Sequence, residues 1–384
     1  MTAPFLIVAA DFALTGGMDR ANYALADYLA RRGGDVRLVA HRAAPALLRH
    51  ANLRWHRAWR PLGRDGLGWG FLRRAGRRQA AAVAGRGGRV LVNGGNCAWA
   101  DLNWVHYVHA AYRAEWRGAG ARGAARRAWE ARKYRRALAD ERTALAAARV
   151  VIANSEATRR TLIERLGTPP ERVHTVYYGC DPEVFSEAGT AERAAARQAL
   201  GWPAAGRTAL FVGALGDRRK GFDTLLAAWE KLSAGGDWDL ELAVAGRGSE
   251  AGAWAERARA AGLGTRCRFL GFRRDVPQLL AASDLLVAPT RYEAYGLGVQ
   301  EALARGRAAL VSADAGVAER YPPELAPLLL HDPNSAEELA ARLRAWETQA
   351  AGLAPAVRAL GARLRARTWD TMAAEIVALA GAEA

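Results

Sequence analysis

The chain has little of what staples or anchors a protein. Its three cysteines, Cys97, Cys180 and Cys267, are odd in number, far apart and in no C-x-x-C pair. That argues against a disulfide framework and a zinc site, and for a reducing compartment. No apolar run approaches the roughly 18 residues of a membrane-spanning helix. The apolar stretch from Phe5 lacks a basic segment before it, so no export signal is read there. The dinucleotide fingerprint G-x-G-x-x-G does not follow the first apolar run, which counts against a nicotinamide or flavin enzyme. Lysine is scarce too: Lys133, Lys220 and Lys231 are the only three. What is present, 384 residues of which 51% are hydrophobic, is ample for two domains with separate cores.

The net charge of +16 is unevenly spread, with 27 Lys/Arg against 10 Asp/Glu over residues 1–150 and 28 against 29 over 151–384. An excess confined to the first part suggests an acidic partner there: anionic lipid head groups, a phosphorylated glycan or nucleic acid. Between Leu47 and Arg78, Trp55, Trp59, Trp69 and Phe71 interleave with Arg54, Arg57, Arg60, Arg64, Arg73, Arg74, Arg77 and Arg78. Aromatic rings at head-group level with arginine beside them would make a peripheral anchor. Tryptophans buried in a core under a solvated arginine face fit equally well. Gly120 to Arg149 reads as one arginine-rich helix.

Apolar runs alternating with amphipathic stretches give the frame. Phe5 to Ala10 reads as a buried strand, Gly16-Gly17 as a tight turn, Met18 to Arg32 as a helix with Ala21, Leu25, Tyr28 and Leu29 inward, and Val36 to Ala40 as the next strand. Val90 to Asn93 and Trp104 to His109 follow, the latter placing His106 and His109 near a strand end, where open parallel sheets meet ligands. A spacing of three puts the two histidines on opposite faces of a strand. Val150 to Ser155 reads as another strand, with Ser155 or Asn154 able to cap the helix Glu156 to Leu166. Val173 to Tyr178 is the last of this half, and Ser186 to Leu200 reads as a linker with a short helix. Thr208 to Gly213, a basic loop with Arg218, Arg219, Lys220 and Gly221, and a helix from Phe222 open a second βαβ-rich half. Leu240 to Ala245 ends in Gly246-Arg-Gly248, and Arg266 to Leu270 leads into Gly271-Phe-Arg-Arg-Asp275.

The apolar run Leu285 to Pro289 then reads as a buried strand, Pro289 to Tyr295 as a loop carrying Glu293, and Gly296 to Arg305 as a helix carrying Glu301. Backbone amides around Gly296, Leu297 and Gly298 at the helix start suit a phosphate. Carboxylates on either side of that pole could hold hydroxyls flanking a bound diphosphate, which is the layout of a nucleotide sugar.

The two glutamates with seven residues between them, in R-Y-E-A-Y-G-L-G-V-Q-E-A, resemble the signature of retaining glycosyltransferases of family four, also known as glycosyl transferases group 1. R-K-G-F-D-T-L-L resembles that family's K-G-x-D-x-L pattern, and Gly179-Cys-Asp its N-G-V-D turn. Ala315-Gly-Val-Ala-Glu319 is similar to its G-G-x-x-E turn. The resemblance implies an α/β, GT-B architecture: two Rossmann-like parallel-sheet domains facing a central cleft. Residues 1–183 would bind acceptor and 184–367 the nucleotide-sugar donor, and 368–384 would form a helix returning to the first domain. It implies transfer with retention and no essential metal or cofactor, from a UDP- or GDP-linked sugar to a hydroxyl of a glycan, glycolipid or other cell-envelope acceptor. Lys220 would neutralise the diphosphate. Arg218 or Arg219 would supply the second cation, because Ala214 stands where the family places an arginine. Glu293 would bind the transferred sugar and Glu301 the ribose. His109, preferred over His106, would reach the sugar or acceptor. Gly213, Gly246, Tyr295, Gly296 and Leu297 would line the donor, Phe272 and Arg273 would read the base, and Gly16 and Gly17 would approach the acceptor.

Two other readings stand beside this one. A nucleotide-sugar epimerase uses the same architecture and would turn over a sugar nucleotide with no acceptor. A nucleic-acid-binding module using the basic first half would show steep salt-dependent affinity, but no groove-reading motif is present. The expected location is cytoplasmic, peripheral at the inner face of the membrane.

Overall fold

The computed structural model describes residues 3–113, 120–264 and 266–381, which divide into two units. The first comprises Met1–Gly179 and Thr368–Ala384, the second Cys180–Arg367.

In the first unit the strands are Phe5–Val8 (β1), Asp11–Phe12 (β2), Val36–Ala40 (β3), Arg42–Ala43 (β4), Leu53–Arg57 (β5), Arg89–Asn93 (β6), Leu102–Val105 (β7), Val150–Ala153 (β8) and Val173–Thr175 (β9). Seven of them form a parallel sheet in the order β5-β3-β1-β6-β7-β8-β9, and β2 pairs with β4 as a small second sheet. Strands covered on both faces are largely apolar, and β1, β3, β7 and β8 are buried at every residue, with Arg37 of β3 and Asn103 of β7 as the polar exceptions. The helices are Gly17–Arg31 (α1), Asp65–Ala84 (α2), Gly120–Ala147 (α3) and Glu156–Leu166 (α4). Helix α1 buries Ala21, Leu25, Tyr28 and Leu29, the face its spacing predicts. Ser155, not Asn154, caps α4, its hydroxyl accepting from the Thr158 amide at 3.0 Å.

Two expectations about this unit need correction, and one pair of alternatives divides. The strand expected over Trp104 to His109 stops at Val105, and His106 to His109 run on as irregular chain. Alternation across a strand therefore does not separate the two histidines. Strand β9 likewise ends at Thr175, freeing Tyr178 to turn its phenol inward. The interleaved aromatics divide: Trp55 and Trp69 are half-buried, whereas Trp59 and Phe71 are exposed and meet edge to face at 4.9 Å.

In the second unit the strands are Thr208–Val212 (β10), Glu241–Ala245 (β11), Cys267–Gly271 (β12), Leu285–Ala288 (β13), Ala308–Ser312 (β14) and Leu329–Leu330 (β15). They form one parallel sheet, β12-β11-β10-β13-β14-β15. Its helices are Thr190–Ala199 (α5), Phe222–Ala234 (α6), Ala251–Ala260 (α7), Val276–Ala282 (α8), Leu297–Ala304 (α9) and Ala336–Ala366 (α10). Leu225, Leu226 and Trp229 of α6 are fully buried against the sheet core. Burial of each such side chain is worth about 1.5–3 kcal/mol.

Ser186 to Leu200, expected as a linker with a short helix, does carry the helix, α5, but belongs to this core rather than linking two units. Ala188 and Ala196 are buried, and the Arg197 guanidinium donates to the carbonyls of Pro203 at 2.6 Å and Ala282 at 2.9 Å. The division also falls at Gly179/Cys180 rather than at 183/184, because the Cys180 amide already donates to Arg367 O, at 2.8 Å, within the second unit.

After Arg367 the chain re-enters the first unit as Trp369–Ala380 (α11), capped by Thr368. Asp370 pairs with Arg31 of α1 at 2.6 Å. The three cysteines are buried and unlinked. Among the described residues no helix is long and apolar enough to cross a membrane.

Candidate functional site

A doubly wound sheet opens a crevice where successive connections leave in opposite directions. In the second unit the chain runs β10, β11, β12 outward to one side and then β13, β14, β15 to the other, so the switch lies between β10 and β13. The loops beyond these two strands are the basic Gly213–Gly221 loop and the Pro289–Gly296 loop. The topology therefore brings together Lys220 and Glu293, 73 residues apart in sequence: Lys220 Nζ lies 2.7 Å from Glu293 Oε2. Arg219 Nη1 approaches the same oxygen at 3.4 Å and donates to the Tyr292 carbonyl at 3.0 Å. Burial pushes the Glu293 carboxyl up, but Lys220 and then Arg219 outweigh it and hold the group below the usual range.

Arg218, the other candidate for the second cation, is engaged elsewhere. It pairs with Asp223 at 3.0 Å and lies over the Trp254 ring at 5.4 Å. Asp223 is held below the ordinary carboxyl range: burial raises it, and Arg291 followed by Arg218 more than compensates. Arg291 was not singled out from the sequence. It grips Asp223 with both terminal nitrogens, at 2.8 and 3.0 Å, and its amide donates to Arg219 O at 2.8 Å. It thus clamps the Glu293 loop to the Lys220 loop. Asp223 in the first turn of α6, with an arginine two residues before Glu293, was the signal available.

Two glycines shape this edge. At Gly246 a Cβ would stand 1.8 Å from Gly213 O, so the turns after β10 and β11 touch backbone to backbone. At Gly296, φ is 111°, a left-handed value that lets the loop turn into α9 without a capping side chain. The amides of Leu297 and Gly298 begin that helix, and Glu301 follows one turn later, half-buried. The preceding loop is fixed from outside: Gly316 N donates to Glu293 O at 3.1 Å and Val317 N to Tyr295 O at 2.6 Å. Tyr295 itself is buried, its hydroxyl bonded to Gln300 within α9. Its phenol faces the core, leaving the backbone as its contribution to the loop. Phe272 is 56% exposed under the Arg247 guanidinium at 4.8 Å, and Arg273 is paired with Asp275.

In the first unit the same rule puts the switch between β1 and β6. Gly16 is the exposed residue before α1, at φ 87°, and Gly17 begins the helix. The two histidines lie beyond the neighbouring β7 and differ sharply. His106 is buried, its Nδ1 2.5 Å from Tyr178 Oη, and burial pushes its pKa down to about 3, so the ring is neutral. Asn154 donates to the same hydroxyl at 3.3 Å and accepts from Thr158 Oγ1 at 2.9 Å. The His109 side chain is 38% exposed, with Nδ1 3.2 Å from Glu141 Oε1.

Residues 206–366 match the family model for glycosyl transferases group 1, and residues 15–184 match that for glycosyltransferase family 4. A phosphatidyl-myo-inositol mannosyltransferase of Mycolicibacterium smegmatis is 34% identical over 164 residues, 42% of this chain and 39% of that protein. The chain spans about two fifths of the length of the curated relatives it matches. The crystal structure of WaaG, a glycosyltransferase involved in lipopolysaccharide biosynthesis, superposes with a TM-score of 0.74 at 20% identity, covering 99% of this chain and 100% of that one. The Anabaena HepE structure in complex with UDP and glucose gives 0.71 at 17% identity, covering all of both chains (100% each). The fold is GT-B.

Proposed function

From a chain that carries a glycosyltransferase family 4 domain followed by a glycosyl transferases group 1 domain, we propose a retaining transferase. It moves a sugar from a UDP- or GDP-linked donor to a hydroxyl of a glycan, glycolipid or other cell-envelope acceptor. The observation that carries this reading is the meeting of Lys220, Arg219 and Glu293 at the switch point of the second sheet, beside the amide-lined start of α9. Cations next to helix amides suit a diphosphate, and a carboxylate beside them suits sugar hydroxyls. The UDP held by the Anabaena protein of the same fold supports a nucleotide in this role.

In this mechanism Lys220 and the Leu297 and Gly298 amides take up charge that grows on the departing diphosphate. Glu293 exchanges its partner Lys220 for donor hydroxyls, and Glu301 binds the ribose. The diphosphate oxygen itself helps remove the acceptor proton on the face where the sugar is delivered, so configuration is kept. No essential metal is required. His109 of the first unit meets the sugar or the acceptor hydroxyl.

The basic first unit is assigned to an anionic membrane surface. Trp59, Leu62, Leu67 and Phe71 are exposed within one short segment amid Arg60, Arg64, Arg73 and Arg74, and Trp129 of α3 is exposed between Arg126 and Lys133, each about 5.4 Å from its ring. That combination suits head groups.

The direct test is thermal unfolding with UDP, GDP, ADP, CMP and their common sugar conjugates, on the native chain and on Glu301→Ala. Stabilisation by one nucleoside diphosphate, lost in the variant, is expected; no shift with any of them would remove the donor-site assignment. Turnover should survive EDTA, and a full loss restored by magnesium would contradict the metal-free mechanism.

A further inference from the structure

We propose that Glu141 is a positioning residue for His109, fixing the imidazole with its hydrogen on Nδ1 so that Nε2 is left as the acceptor for a sugar or acceptor hydroxyl. The proposal rests on the reading of His109 given above. Glu141 lies on α3, 32 residues beyond its partner, and is 1% exposed. One oxygen, Oε1, accepts from the His109 backbone amide at 2.9 Å and meets His109 Nδ1 at 3.2 Å. The other, Oε2, is buried with no hydrogen-bond partner among the described residues. The remaining acids of the helix behave differently: Glu130 pairs with Arg126 and Lys133, and Asp140 with Arg73 and Arg136. Among the described residues no lysine or arginine pairs with Glu141.

A carboxylate buried so deeply is costly unless its contacts require it. Both contacts of Glu141 go to one residue. Because the amide and the ring nitrogen share a single oxygen, the imidazole is registered to its own backbone, and its rotation is restricted. An ionised carboxylate can only accept, so the ring must donate from Nδ1, and a neutral ring then offers a lone pair at Nε2. The close approach that makes this possible comes from Gly95, where a Cβ would stand 3.0 Å from the Glu141 amide nitrogen. The Gly94-Gly95 turn after β6 thereby admits α3 to the sheet edge. The ring keeps enough exposure for a hydroxyl to reach it.

The test compares Glu141→Ala with Glu141→Gln. The His109 amide also needs an acceptor, so a glutamine should turn its carbonyl to Oε1's place and preserve the Nδ1 contact. Imidazole nitrogen NMR at pH 8.5, with the His109 signal assigned through His109→Gln, should show hydrogen on Nδ1 in the native chain and in Glu141→Gln, but not in Glu141→Ala. Hydrolysis of UDP-glucose or GDP-mannose, whichever the unfolding panel shows bound, in which water takes the sugar and the nucleoside diphosphate is released, should fall about 10–100-fold in kcat for Glu141→Ala with KM for the donor little changed. Glu141→Gln should stay within about threefold of the native rate. Hydrogen on Nε2 in the native chain overturns the proposal, as does an Nδ1 hydrogen that persists in Glu141→Ala or an equal kcat loss in both variants. If Glu141→Ala does not fold, the native and Glu141→Gln spectra decide. A chain that binds none of the sugar nucleotides would defeat the transferase reading and leave the spectral result standing.

Discussion

Replacing Lys220 with methionine should expose how the second unit holds its charges when no donor is bound. The Lys220 and Glu293 side chains are 24% and 20% exposed, so the pair lies largely out of water. Removing one member of a well-buried pair costs about 3–5 kcal/mol, because a charge is left without its partner. Arg219 remains at 3.4 Å from the same carboxylate oxygen, which should reduce the loss to about 2 kcal/mol, or a fall in Tm of roughly 4–8 °C for a unit of this size. Acid behaviour gives a second readout. Glu293 sits below its unfolded value, so it contributes stability at neutral pH that is lost as pH falls through its folded pKa, under the ordinary carboxyl value near 4.3. With Lys220 gone, burial is opposed by Arg219 alone, Glu293 takes up its proton at a higher pH, and acid unfolding should begin earlier. Thermal and urea unfolding of Lys220→Met, Glu293→Gln and the double variant from pH 3 to 8 would measure the coupling. If the two single effects add within about 0.5 kcal/mol, or the acid limb of Lys220→Met matches the native one, the pair contributes no coupled stability and the reasoning fails.

His106 predicts a second acid limb. Burial lowers its folded pKa to about 3 while the unfolded ring protonates near 6.5, so stability should decline as pH falls between these values, by up to about 1.4 kcal/mol per pH unit. Urea unfolding of His106→Gln should lose that part of the slope, and identical slopes would rule the burial account out. For the exposed aromatic segment, Trp59→Ser with Phe71→Ser should release the protein from sedimenting anionic liposomes at moderate salt while leaving Tm within about 2 °C of native, since these rings are on the surface. Equal sedimentation of native and double variant would refute the membrane assignment.

Repeating local patterns made much of the frame legible from sequence. Apolar runs such as Phe5–Ala10 and Leu285–Pro289 read as strands, where the structure has Phe5–Val8 and Leu285–Ala288, because parallel sheets covered on both faces need continuous apolar chain. The glycines at the turns were visible as residues, but not what they are for: the contact of Gly246 with the Gly213 carbonyl is set by two strands lying side by side. Strand ends were overextended at Trp104–His109 and Val173–Tyr178, where polar groups satisfied by buried side chains replace ladder bonds. His106 and Tyr178 satisfy one another in this way. Ser186–Leu200 looked like a linker because it is polar and alanine-rich, with no large apolar side chain before Leu200, and Arg197 supplies its packing through carbonyl bonds that a hydrophobic pattern does not show. Glu141 was missed for the same kind of reason. One acid among many arginines on a long helix carries no mark of being the one turned inward.

The placement of α11 has a consequence for biosynthesis. The first unit is interrupted: it breaks off at Gly179 and is completed only by residues from Thr368 onward. At the crossing, Gly179 lies so close to Thr368 and Trp369 that a Cβ there would stand 2.4 Å from the Trp369 amide nitrogen. Domains usually fold in the order of their synthesis, yet here the later-encoded sheet is whole before the earlier one has its last helix. On the ribosome, the segment 180–367 can therefore close while α1 still waits for α11 to cover it. Cutting the gene after codon 179 should yield a sticky fragment with an uncovered apolar face, whereas 180–367, whose ends are tied by the Cys180–Arg367 hydrogen bond, is the piece suited to production by itself.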